Sequence, residues 1–159
     1  MIATTFETAR LVMHPLRVEY AAEMAGVLAD PDLYTFTGGE PPTVEVLENR
    51  YRRQLEGPGN PDEHWLNWVI QYDGRLVGYV QSTVTGRTAE IAWVIGTDWQ
   101  GRGFAKEAAR GLVAWLDGQG VERIIAHVHP DHAASAAVTA AAGLTRTDQL
   151  DDGEYLWTT

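Results

Sequence analysis

The sequence predicts one mixed α+β domain over residues 1–159, built on a mostly antiparallel sheet, and three observations carry that expectation. At 159 residues and 45% hydrophobic composition, the chain suffices for one buried core and is short for two. Apolar residues recur at helical spacing in the first third, alternate with polar ones from Leu66, and return to helical spacing after Gly101 and Gly103. A strand, helix, strand order then follows, which requires one parallel crossover in the sheet.

Taken in order, "ARLVMHPL" (9–16) is short, branched and apolar and ends in a proline dipeptide, a first strand. "RVEYAAEMAGVLAD" (17–30) sets Tyr20, Met24, Val27 and Leu28 on one side of a helix. "PDLYTFTGGEPP" is dense in turn formers around two aromatics and is a loop. "TVEVLENRYRRQLEG" is a second helix with Thr43 as its cap, stopped by Pro58, Gly59 and Pro61. Leu66, Trp68, Ile70 and Tyr72 alternate with Asn67 and Gln71, Asp73-Gly74 signals a hairpin, and "RLVGYVQSTV" resumes the alternation. Gly86 turns the chain into "TAEIAWVIG" (88–96), the third strand of a meander. The helix "RGFAKEAARGLVAWLDG" carries a core-facing stripe of Ala105, Ala108, Ala109, Leu112, Val113 and Leu116. "VERIIAHVHP" is a strand, "DHAASAAVTAAAGL" a short helix closed by Gly143, and "EYLWTT" a last strand.

Composition excludes several functions. No apolar run approaches the roughly 20 residues of a spanning helix, and the N-terminus lacks a basic start before an apolar core, so a cytoplasmic protein with no membrane partner is expected. A formal charge of −10, from 22 acidic and 12 basic residues, argues against a nucleic-acid partner and mildly favours a cationic one. The absence of cysteine excludes disulfides, thiolate metal sites and a cysteine nucleophile.

The stretch "DWQGRGFAKEAARGLVAWLDG" (98–118) carries the chemistry. Glycines at 101 and 103 let the backbone lie close to a ligand. The first-turn amides of the following helix lack internal partners and sit at the positive end of the dipole, a site suited to a diphosphate. Arg102 and Lys106 add charge at the rim. The pattern lacks the terminal Gly-Lys-Ser/Thr of a Walker loop and the third glycine of a dinucleotide fingerprint. A glycine turn that simply opens a helix is the other reading of these residues.

"Gln100-Gly101-Arg102-Gly103-Phe104-Ala105" resembles the Q/R-x-x-G-x-G/A acyl-CoA motif of the GNAT superfamily of N-acetyltransferases. "AEIAWVIGTDWQGRGFAKEA" is similar to its ribosomal-protein branch, RimJ and RimL. "ETARLVMHPL", "LYTFTGGEPP" and "HPDHAASAAVTAAAGL" match that branch in the same order, so the resemblance spans nearly the whole chain. It implies a sheet of six to seven strands with about four helices, in which the fourth and fifth strands, residues 88–96 and 121–129, splay around acetyl-CoA. The arm of the co-substrate would pair with backbone around Val94 and Ile95, and its diphosphate would lie on the amides from Gly101 to Lys106.

An acceptor ammonium must lose a proton before it attacks, and Glu90, between Ala89 and Ile91, is the expected general base by that resemblance, with partial burial expected to raise its pKa. An outward-facing strand residue is the alternative. A bulge near Val94 or Ile95 would offer the oxyanion an N–H. Ser135 corresponds to a serine placed to hydrogen-bond the leaving sulfur, or else packs among alanines. His132 stands where relatives carry the Asn that holds the co-substrate arm. Thr139 occupies the slot of their acidic tyrosine, which leaves that role without a residue. His127 and His129 share a strand face, as a second base or as packed histidines, and two alone predict no metal. Tyr34, Phe36, Trp65 and Trp68 are candidates for the acceptor groove. Three functions follow: direct transfer of an acetyl group to a primary amine of a small molecule or protein N-terminus, an acyl-CoA-binding module without turnover, or a phosphate-binding protein unrelated to CoA. A longer acyl donor fits the first as well, and relatives are monomers or homodimers.

Overall fold

In the computed structural model, which describes residues 1–159, the alternating segment becomes the spine of an eight-stranded sheet. The strands are β1 (Phe6–Glu7), β2 (Val12–Pro15), β3 (Glu63–Tyr72), β4 (Arg75–Thr85), β5 (Thr88–Ile95), β6 (Arg123–Val128), β7 (Thr145–Asp151) and β8 (Glu154–Thr158). Their spatial order is β1-β2-β3-β4-β5-β6-β8-β7. Every neighbouring pair is antiparallel except β5 and β6, which the crossover through the third helix makes parallel. Eight strands exceed the six to seven expected. The additions are the two-residue β1 and the polar β7, none of whose residues is buried. The expected fourth and fifth strands are accordingly β5 and β6.

Four helices flank the sheet: α1 (Ala21–Val27), α2 (Val44–Glu56), α3 (Phe104–Gly118) and α4 (Ala133–Ala141). The predicted helix over 17–30 is shorter, because residues Val18–Tyr20 form a separate 3₁₀ turn. Thr43 caps α2 by accepting from the Val46 amide at 3.2 Å. Strand alternation sends two sets of side chains to two cores. Leu66, Trp68, Ile70, Val80 and Ile91 pack under α3 with Ala108, Ala109, Leu112 and Leu116. On the opposite face Met24, Leu47, Tyr51 and Val69 pack beneath α1 and α2.

Trp68 therefore belongs to the α3 core, fully buried with its indole N–H donating to the Thr4 carbonyl at 2.8 Å. Trp65, one step out of phase, lies on the α1/α2 face and is 39% exposed. The register places Trp65, Thr83, Glu90 and Ile125 in one row across β3, β4, β5 and β6. Glu90 thus shares the α1/α2 face with Trp65.

The N-terminal segment is tied to α3 through Glu107, whose carboxylate accepts from the Thr8 hydroxyl, the Arg10 amide at 2.9 Å and Arg10 Nε at 2.7 Å. Those donors outweigh the cost of partial burial and hold the Glu107 carboxyl below its usual range. No helix is long and apolar enough to cross a membrane.

Candidate active site

β5 and β6 pair at Thr88/Arg123, Ala89/Ile124 and Glu90/Ile125, and there the pairing ends. Beyond Glu90, β5 continues to Ile95 on β4 alone, while β6 continues to Val128 on β8. A wedge opens between them with Glu90 at its apex. The Gly96 amide donates to the Val77 carbonyl of β4 at 2.8 Å, so alternation turns the backbone groups of Val94 and Ala92 toward β4 as well. Those of Ile91, Trp93 and Ile95 then face the wedge. The Trp93 backbone and the Ile95 amide are the available partners there, while Val94 turns its backbone groups to β4, against the expectation for Val94. The pairing of β5 with β4 runs unbroken from Thr88 to Ile95, so the expected bulge at 94–95 is absent. The irregularity lies instead on β4 at Val77, opposite Ile70/Gln71.

The wedge leads to the glycine turn. Gln100 Nε2 donates to the Ile95 carbonyl at 3.0 Å, anchoring the turn to the end of β5. Gly101 and Gly103 adopt φ of 78° and 79°, the left-handed region that favours glycine. Gly103 precedes α3 with no side-chain cap, and the first α3 amide with a partner is that of Glu107, donating to the Gly103 carbonyl at 3.1 Å. The amides of residues 101 to 106 remain free for an anion. Phe104 is buried in the α3 core, fixing the helix start, and Ala105 is half-buried beside it. Arg102 is exposed, whereas Lys106 lines an open hollow with Arg10 and Arg110.

Glu90 does not stand alone. Its Oε1 meets His127 Nδ1 on β6, and His127 Nε2 lies 3.0 Å from Asp151 Oδ2 at the end of β7. The Glu90 side chain is 45% exposed, so it sits at the edge of the sheet face and not in an apolar pocket. Burial pulls the His127 pKa down, but the hydrogen bonds to Asp151 and Glu90 outweigh it and raise it above the usual value. The bonds from His127 and Gln149 hold the Asp151 carboxyl below its usual range. Asp151 escapes the sequence reading because β7 has no apolar alternation; only its pairing with β8 brings it to His127.

The far wall is the start of α4. His132 is its N-cap, Nδ1 accepting from the Ser135 amide at 3.3 Å, and burial with neighbouring His129 lowers its pKa. The ring is thus neutral, with Nε2 carrying the proton and free to donate. Ser135 is half-buried and its hydroxyl is free, while the Thr139 hydroxyl donates to the Ser135 carbonyl at 2.6 Å within the core. Thr139 is therefore spent on the helix. His129, the second expected histidine, lies just past the end of β6, where it accepts from the Asp131 amide at 3.0 Å and joins no carboxylate.

The loop after α1 roofs the wedge. It leaves where Val27 closes on Gly96, and Phe36 stacks on His132 with ring centroids 4.4 Å apart and contacts His129 at 5.1 Å. Tyr34 anchors it by donating to the Leu28 carbonyl at 2.9 Å. Beside it, a cavity of about 40 Å³ lies between α2 and the sheet, lined among others by Arg50, Tyr51, Gln54, Asn67, Tyr79 and Gln81. Gln81 pairs with Ala92, so this polar lining begins two register positions from Glu90, on the same face.

Residues 10–145 match the acetyltransferase (GNAT) domain family model. No curated protein matches the sequence. Among solved structures, a GNAT-family acetyltransferase from Bacillus anthracis superposes with a TM-score of 0.80 at 20% identity, covering 98% of each chain. A ribosomal-protein-serine acetyltransferase assigned in Vibrio cholerae gives 0.79 at 16%, covering 100% of this chain and 99% of that one. RimL, a ribosomal alpha-N-protein acetyltransferase solved with coenzyme A, gives 0.81 at 11%, covering 98% and 97%. At these identities the superpositions establish the shared fold.

Proposed function

The chain belongs to the GNAT acetyltransferase family, and from that premise we propose that it transfers an acetyl group directly from acetyl-CoA to a primary amine. The observation that carries the reading is the wedge that opens at Glu90 and leads to the free amides of residues 101 to 106. RimL, which shares the fold, was solved with coenzyme A. An acyl-CoA brings the activated thioester, and the chain supplies position and polarity.

In this scheme the amides from Gly101 to Lys106 take the diphosphate, with Arg102 at the rim. Backbone groups of Trp93 and Ile95 hold the arm along β5, and the free Nε2–H of His132 reaches it from α4. Glu90 takes the proton of the acceptor ammonium from the α1/α2 face, so the attacking nitrogen gains its lone pair inside the site. The Ser135 hydroxyl donates to the departing sulfur, a role the buried Thr139 cannot fill. The carboxylates of Glu90 and Asp151 at the apex favour a cationic acceptor, as a small-molecule amine or a protein N-terminus. The RimJ/RimL branch is the nearest reading of the loop and turn motifs.

The test is release of free thiol from acetyl-CoA against a panel of amines that includes aminoglycosides, polyamines and N-terminal peptides. Amine-dependent release is the expected result. Tight binding of coenzyme A without turnover on any amine would instead make the chain a binding module.

A further inference from the structure

The Glu90–His127–Asp151 array uses three strands to build one site, and the family motifs assign a role only to Glu90. β5 supplies Glu90 at the last paired register before the wedge, β6 supplies His127 two residues beyond Ile125 on the same face, and β7 supplies Asp151 at the hairpin end. Both ring nitrogens are engaged, Nδ1 by the Glu90 carboxylate and Nε2 by Asp151. A packed histidine needs only one such partner to fix its ring; two carboxylates stabilise the imidazolium, in which both nitrogens donate, and so favour this ring's taking up a proton.

We infer that His127 is a positioning residue acting through Glu90, receiving at Nδ1 the proton that Glu90 takes from the acceptor ammonium. The inference rests on the transferase reading above. The observed contacts, one hydrogen bond from each ring nitrogen to a carboxylate, belong to the imidazolium; the form that accepts a proton is the neutral ring, with Nε2–H donating to Asp151 and Nδ1 unprotonated beside Glu90. The acceptor R–NH₃⁺ loses one proton and becomes R–NH₂. Glu90 is a carboxylate before and after, and the imidazole becomes an imidazolium held between two carboxylates. That proton then passes to water at the half-exposed hairpin, which restores the neutral ring, and no redox step is involved.

The geometry explains why the array is needed. Glu90 is half-exposed and bound to His127, whereas an imidazole held between two carboxylates is stabilised in its charged form, so the ring can keep the proton that Glu90 receives. The groups that face His127 are Glu90 from β5 and Asp151 from β7; β8 offers Leu156 opposite it, uncharged, and His129 lies two residues on, just past the end of β6. Gln149 donates to both Asp151 oxygens, at 3.2 and 3.1 Å, and holds that carboxylate toward the ring.

The experiment pairs two readouts on the intact protein. Histidine-selective nitrogen NMR follows the His127 titration, and kcat/KM against pH follows turnover with acetyl-CoA and the best amine of the panel. In the wild type the rate should rise with pH along a limb that coincides with the His127 titration. Asp151→Asn, on the exposed hairpin, should move both titration and limb down by about one pH unit, because one anionic partner is gone. His127→Gln should lower the plateau about 100-fold, abolish the limb and leave KM for acetyl-CoA unchanged. Two results would overturn the inference while leaving the transferase reading intact: a titration that moves in Asp151→Asn while the limb stays, or a His127 titration unmoved by that change. A wild type with no turnover on any amine overturns the transferase reading, and this role falls with it.

Discussion

The carbonyl oxygen of Val94 lies 2.1 Å from the point where a Cβ on Gly78 would stand. β4 thus meets β5 through a residue without a side chain, at the strand end where the wedge is widest. Gly78→Ala forces the main chain of β5 away from β4, since the obstructing atom is backbone and cannot rotate aside. The variant should lose about 1–3 kcal/mol of stability, measured by urea unfolding. It should also weaken coenzyme A binding, because Ile95 and the Gln100 anchor move with the strand.

The parts of this fold legible in the sequence are those with a local cause. Gly101 and Gly103 are readable because only a residue without Cβ suits their positive φ, and the β3–β4 hairpin because Asp73-Gly74 matches its turn. Glu90 is readable through its neighbours in the motif. Its partners are not, since His127 and Asp151 lie 37 and 24 residues apart along successive contacts and join only through sheet order. β7 has no buried residue to announce it, and the choice between Trp65 and Trp68 depends on which face of β3 meets α3.

Removing the carboxylate of Glu90 tests the proposed base directly. Glu90→Gln keeps the shape and a hydrogen-bonding end but cannot take a proton. Turnover should fall by roughly 10²- to 10⁴-fold with coenzyme A affinity unchanged, since the diphosphate site lies on the other side of Ile95. Full turnover with an unshifted pH profile would remove Glu90 from the chemistry.

Ser82 makes a contrasting case. Its hydroxyl is buried in the α3 core at 2% exposure and has no hydrogen-bond partner. An unpaired buried hydroxyl costs about 1–3 kcal/mol, so Ser82→Ala should raise stability by about 1 kcal/mol after allowing for the small void it leaves. Since Ser82 points away from the α1/α2 face, the rate should not change. A loss of stability would show that a bound water satisfies the hydroxyl.

Glu107 should contribute to stability against acid. Its folded-state pKa lies below the usual 4.5, through the Thr8 and Arg10 donors acting against partial burial. The unfolded chain therefore binds the proton more readily, and the contribution is fully present above about pH 4.5 and is lost as pH falls through the folded value. Glu107→Gln should cost about 1–3 kcal/mol at neutral pH, because it replaces charged hydrogen bonds to Thr8 and Arg10 with neutral ones. It should also flatten the decline of melting temperature on the acid side of pH 4.5. The N-terminal strand should be the region that loosens, since Glu107 holds both Thr8 and Arg10 against α3. Amide exchange at Thr8 and Arg10 that accelerates while β3 and β4 stay protected would show that local release. An unchanged acid slope would assign the acid sensitivity to other carboxylates.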